Sequence, residues 1–221
     1  KKLKIDYLNK NLNNKIVIID GKFIEELSTL KINGTEIQST KSAFASQNHF
    51  LTEQFGSFTN FKTDAIVALN LAICNDGFCI KINKNSIIED TIEIIELITN
   101  DAPSILNPFH FLNIEEGAQV TFSHTLINQN TNKTFYNSLF QFYQSANSIC
   151  NFTSLQNLNK ELYSVENKFV IQNSKSKFTN NQIALSGTLI RNNLSVRHEG
   201  QFIETFLNGL ICLNGTDHVD N

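Results

Sequence analysis

The sequence predicts a mainly β protein: a right-handed parallel β-helix, a single-stranded solenoid, preceded by a small mixed α/β segment. Three observations predict it. From Phe78 onward apolar and polar residues alternate, the period of a strand with one buried face. After Phe109 there is scarcely a helical stretch, only short alternating runs between polar turns. Related patterns also recur at near-regular steps, with matching apolar positions at Ile114, Phe142, Ile171 and Val196, a spacing typical of stacked repeats.

The elements follow in order. Ile16-Val17-Ile18-Ile19 is a β-branched run stopped by Asp20-Gly21, a strand followed by a turn. Helix-like spacing marks Ser42 to Phe55 and Asp64 to Cys74. In the second, Ala65, Ile66, Leu69 and Ala72 form one apolar stripe, with Thr63 or Asp64 placed to cap it. Asp76-Gly77 is a turn signal. Then Phe78, Ile80 and Ile82 alternate with Cys79, Lys81 and Asn83, and Ile92 and Ile94 repeat the theme. Residues 1–77 are expected to pack on or cap the solenoid, and 78–221 to form its coils, truncated at the C-terminal end.

Self-comparison sets a register. Leu112-x-Ile114, Phe140-x-Phe142, Phe169-x-Ile171 and Leu194-x-Val196 share a template, which aims Ile114, Phe142, Ile171 and Val196 inward. Ala184-Leu185-Ser186-Gly187-Thr188 recurs as Cys212-Leu213-Asn214-Gly215-Thr216, one such step further on. That step places Asp220 over Asn192 and Asn221 over Asn193, a polar ladder at a coil corner. Asparagine, about one residue in seven, suits turns and such ladders. Phe140, Phe142, Phe152, Phe169 and Phe178 read as an interior stack.

Composition excludes several functions. A net charge of -3 and only two arginines, Arg191 and Arg197, give no grip for nucleic acid. No apolar run approaches the roughly 20 residues of a membrane helix, and no signal peptide is visible. A chain starting at Lys1 and stopping at Asn221 without a closing element reads as an excised piece of a longer protein. A reducing cytoplasm is its expected compartment.

Candidate chemistry is sparse. Cys74, Cys79, Cys150 and Cys212 show no metal-ligand spacing. A turn could bring Cys74 and Cys79 together as a disulfide or half a metal site; the plainer reading is two buried thiols at the junction of two elements. Glu115-Glu116 point to opposite faces if on a strand, and read as surface beside Gly117. His218 and Asp220 share a face and could orient an imidazole as a base or ligand, although the ladder reading is favoured. His49, His110, His124 and His198 stand alone and read as packing or surface residues. No catalytic residue and no metal ligand is assigned.

Arg191-Asn192-Asn193-Leu194-Ser195-Val196, Leu207-Asn208-Gly209-Leu210 and Asp217-His218-Val219-Asp220-Asn221 resemble the central segment of the SufB/SufD family, on its SufD side. Val17 to Phe23 with Glu26-Leu27-Ser28 resembles the family's opening strand. Ala68-Leu69-Asn70 with Asp76-Gly77 resembles its next landmark, and Pro108 to Val120 its first coil. The resemblance implies a cytoplasmic, non-enzymatic scaffold for iron–sulfur cluster assembly in the SUF system. It implies as partners a SufB-like paralogue and a SufC-like ATPase, reached through regions beyond residue 221. The cluster would be handled by the whole complex, with none bound by this fragment. Two other classes use the same fold, polysaccharide-active enzymes and purely structural solenoids. The last coil, Leu194 to Asn221, with Phe202, Leu210, Ile211 and Leu213 at an open edge, is expected to self-associate.

Overall fold

The computed structural model describes residues 14–30, 32–46, 49–57, 59–129 and 131–221. It is mainly β, with a β-solenoid of about five turns behind a small α/β segment. That segment holds β1 (Asn14–Ile19), β2 (Lys22–Phe23), β3 (Thr29–Leu30) and β4 (Thr35–Ser39), then α1 (Thr40–Ala45), α2 (His49–Gln54) and α3 (Ala65–Ile73). The coils follow as β5 (Phe78–Ile82), β6 (Ile92–Ile98), β7 (Ser104–Leu106), β8 (Phe109–Ile114) and β9 (Gln119–Asn128). They continue through β10 (Thr134–Gln144), β11 (Ile149–Asn157), β12 (Leu162–Asn173), β13 (Lys177–Ser186), β14 (Leu189–Glu199), β15 (Glu204–Ile211) and β16 (Val219–Asp220).

The strands sort into two walls. One runs β15-β13-β11-β9-β6-β1-β2, the other β16-β14-β12-β10-β8-β5-β4, so successive strands alternate between walls and pair in parallel with the coil before. β1 joins the first wall in parallel beside β6, and β4 joins the second antiparallel to β5. The N-terminal segment thus supplies the first rung of each wall.

Inward side chains stack row on row. Ile80, Leu112, Phe142, Val170 and Val196 stand one above another. Phe142 meets Phe152 and Phe178 across the interior at centroid distances of 5.1 and 5.5 Å. This corrects the register read from the sequence. Ile114 points inward, but one row along, level with Gln144 and Gln172. Ile171 falls on the opposite face of β12, beside Tyr143 and Arg197. Phe169 likewise faces away from the interior, into a separate cluster with Phe109, Phe111 and Leu139.

That outer cluster seats the helices: Ala43, Phe44, Leu51, Phe55, Val67 and Leu71 pack on it. The stretch 42–55 holds two short helices rather than one, and α1 is capped at Ser46. Asp64 caps α3 by accepting from the N–H groups of Ile66 and Val67 at 2.9 and 3.2 Å. The buried face of α3 is Val67 and Asn70, not the expected stripe; Ile66 is exposed. Asn70 decides this, because its Nδ2 donates to the carbonyls of Pro108 and Asn137, 3.0 and 2.6 Å away. Two satisfied buried carbonyls outweigh the burial of small Ala side chains. At Gly77 a Cβ would run into the backbone of Phe109, so the turn after α3 admits no side chain.

One corner of the solenoid repeats its backbone in every coil. Asn85, Gly117, Asn147, Lys175 and Phe202 all adopt left-handed φ values, between 59 and 69°. Each N–H of the first four donates to a carbonyl of the next coil: Asn85 to Glu116, Gly117 to Ala146, Asn147 to Ser174 and Lys175 to Gln201. Among the described residues no helix is long and apolar enough to cross a membrane.

Candidate functional site

Two apolar clusters fill the interior, and a buried polar seam runs between them. On β6, Glu96 sits between Ile94 of one cluster and Ile98 of the other; on β9, His124 sits between Phe122 and Leu126. On the facing wall the seam takes His110 of β8, Ser138 of β10, and Glu166 and Lys168 of β12, all at most 3% exposed. Buried polar groups of this kind must find partners in one another.

They do. Glu96 Oε1 lies 3.0 Å from His124 Nε2 and 3.3 Å from His110 Nε2. Its Oε2 accepts from the Tyr136 hydroxyl. His124 Nδ1 is 2.9 Å from Ser154 Oγ and 3.7 Å from Glu166 Oε2. Glu166 Oε1 takes Lys168 Nζ at 2.5 Å, and the ammonium also donates to Gln182 Oε1 at 2.6 Å. The Lys168 ammonium stands 5.3 Å from the Phe152 ring centroid. Gln182 donates to Gln156 Oε1, which also accepts from Asn192. Asn192 in turn donates to Asn221 Oδ1 at 2.8 Å. Burial alone would raise the Glu96 carboxyl, but the neighbouring imidazoles of His110 and His124 outweigh it and hold the group at about 2, below the usual 4.5.

The thiols lie apart from this seam and are not activated. Burial pushes Cys79 up to about 12 and raises Cys150 as well, which suppresses the nucleophilic thiolate. Cys74 caps the end of α3 and is raised by partial burial, and Cys212 is exposed; all four are free. Among the described residues no three Cys, His, Asp or Glu side chains are grouped to hold a metal ion.

Two family models together cover nearly the whole chain. Residues 6–94 match the SufBD protein N-terminal region, and residues 97–221 match the SufBD core domain of SUF system FeS cluster assembly. The chain belongs to the SufB/SufD family. A search of curated proteins returned no match. The gap between the two matches falls within β6 and holds Glu96, and the other seam residues of this SufB/SufD chain lie within the core match.

Other residues singled out in the sequence fall as follows. His110 and His124 do not stand alone, since both contact Glu96; coil stacking brings together groups that are far apart along the chain. His198 Nε2 pairs with Thr205 Oγ1 at 2.9 Å on the exposed side, and the His49 side chain lies outside the described set. Asp220 stands over Arg191 and Asn221 bonds Asn192, so the ladder exists one position out of the expected step. His218 and Asp220 border an open cavity with Arg191, whose Nε lies 3.7 Å from Asp220. Glu115 and Glu116 hold Lys84 at the surface: Glu115 accepts its N–H, and Glu116 its ammonium at 2.6 Å. Sequence reading missed Glu96, Tyr136, Glu166 and Lys168. For Glu166 and Lys168 a signal was present in β12, where they follow Ser164 and precede Val170 on one alternating face.

Proposed function

We propose that this SufB/SufD chain is a SufD-like scaffold subunit that supports iron–sulfur cluster assembly without catalysing a reaction of its own. The observation that carries it is the pair of family matches, N-terminal region followed by core, over nearly the whole chain. The SufD assignment rests on the blocks at 191–196, 207–210 and 217–221. Suppressed thiols at Cys79 and Cys150, and a charged seam occupied with its own pairing, support a scaffold role over a reactive one. Its partners are then a SufB-like paralogue and a SufC-like ATPase, and the cluster is cargo of the assembled complex. Studied alone, the chain would self-associate through β15, whose Leu207, Leu210 and Ile211 are exposed.

The test is co-expression of the chain with a SufB-like paralogue and a SufC-like ATPase, followed by affinity capture and light scattering. A stoichiometric three-component complex that accumulates cluster is the expected result. Elution of the chain apart from both proteins overturns the proposal.

A further inference from the structure

We propose that the seam is an ionic latch: His124 is held as an imidazolium and completes an alternating chain, Glu96–His124–Glu166–Lys168, that ties the two walls of the solenoid together. Charge balance supports it. Glu96 and Glu166 bring two carboxylates into the interior, and Lys168 brings one ammonium. Without a further positive charge the seam would hold a net negative charge away from water, which proteins avoid.

Two imidazoles are available, and geometry separates them. His110 Nδ1 accepts from the backbone N–H of Phe78 at 3.4 Å, so that nitrogen carries no proton. His110 is therefore the neutral tautomer with its proton on Nε2, facing Glu96. His124 differs because a carboxylate stands near each of its nitrogens, and the hydroxyl beside Nδ1 can accept as well as donate. Nε2 meets Glu96 Oε1 at 3.0 Å, while Nδ1 meets Ser154 Oγ at 2.9 Å and Glu166 Oε2 at 3.7 Å. Glu166 Oε2 has no other hydrogen-bond partner, so a proton on Nδ1 supplies the charge it faces. Negative, positive, negative and positive groups then follow one another and sum to zero.

The groups facing the seam come from every strand around it. β6 contributes Glu96, β8 His110, β9 His124, β10 Tyr136, and β12 Glu166 and Lys168. β11 and β13 present Ser154, Gln156, Asn180 and Gln182, none of which ionises; inward Cys150 lies two rows from Ser154. The contacts cross the lumen. Glu96 and His124 belong to the wall of β6 and β9, Glu166 and Tyr136 to the wall of β10 and β12.

The full chain, labelled with nitrogen-15, tests this through its imidazole resonances at about pH 7. His124 should show both nitrogens protonated, and His110 a proton on Nε2 alone. A neutral His124 at that pH overturns the proposal, and this reading needs no variant. In Glu166→Gln the excess negative charge is gone, so His124 should turn neutral while His110 stays unchanged. An imidazolium that persists in Glu166→Gln overturns it.

Discussion

Gln144 and Gln172 occupy the same inward corner position in consecutive coils, and their Nε2 groups make equivalent bonds. Gln144 Nε2 donates to Ser148 Oγ and the Lys177 carbonyl at 3.4 and 3.1 Å. Gln172 Nε2 donates to Ser176 Oγ and the Glu204 carbonyl at 3.4 and 3.2 Å. Each amide thus bonds within its own corner and into the strand of the next coil. A Gln-x-x-x-Ser unit, present at Gln144 and again at Gln172, is the local code for closing this corner.

Removing one such amide should loosen two coils together. Gln172→Ala is expected to cost about 1–3 kcal/mol, because the amide's bonds vanish and a buried carbonyl loses its donor. Urea unfolding checks the size. Hydrogen exchange should show the loss in β13 and β15, and a change confined to β12 would contradict the corner role.

Phe142 and Phe169 lie on neighbouring strands but serve different cores. Phe142→Ala should cost roughly 3–5 kcal/mol, the usual range for a buried aromatic truncated to a methyl, and should destabilise the whole solenoid. Phe169→Ala should release the helical segment first, since its cluster seats α1 to α3. Limited proteolysis distinguishes them: early cleavage between residues 40 and 75 is expected in Phe169→Ala alone.

Acid sensitivity follows from Glu96. Its carboxyl is lowered in the folded protein, to about 2 from an ordinary 4.5. A lowered acid contributes stability that is full above the unfolded value and is lost as pH falls through the folded one. Stability should therefore drop between about 4.5 and 2. In Glu96→Gln that part of the drop should be absent, and melting temperatures across this window measure the difference.

Thiol labelling of the native chain should proceed in a fixed order. Cys212 is exposed and should react with a maleimide first, then half-buried Cys74. Cys79 and Cys150, buried and raised, should react only on unfolding. Rapid native labelling of Cys150 would place it at the surface and refute the register of β11.

The solenoid was legible because alternation is a one-dimensional signal. The turn at Asp20-Gly21, the cap at Asp64 and the inward Phe142 were all readable from local spacing. Register was harder for a specific reason. Phe169-Val170-Ile171 is apolar on both faces of β12, so pattern alone cannot say which residue points inward. The paired rows also step unevenly, each interval shorter than the last from Leu112 through Phe142 and Val170 to Val196, which blurs any fixed repeat. The contact between Glu96 and His124 was invisible for a further reason. A lone His124 among apolar residues looks like packing until the coils bring the distant Glu96 against it.

The corner built on left-handed residues also determines where the chain can change length. At that edge β8 and β9, β10 and β11, β12 and β13, and β14 and β15 are each joined by three or four residues. At the opposite edge the joins shorten from five residues after β9 to four after β11 and two after β13. The first edge is thus a fixed pitch and the second an adjustable one. A peptide grafted between residues 129 and 133 would leave the coils stacked, because surface loops close at little extra entropic cost. The same graft beside Asn147 would break the backbone bonds that join its corner to the next coil and split the solenoid there.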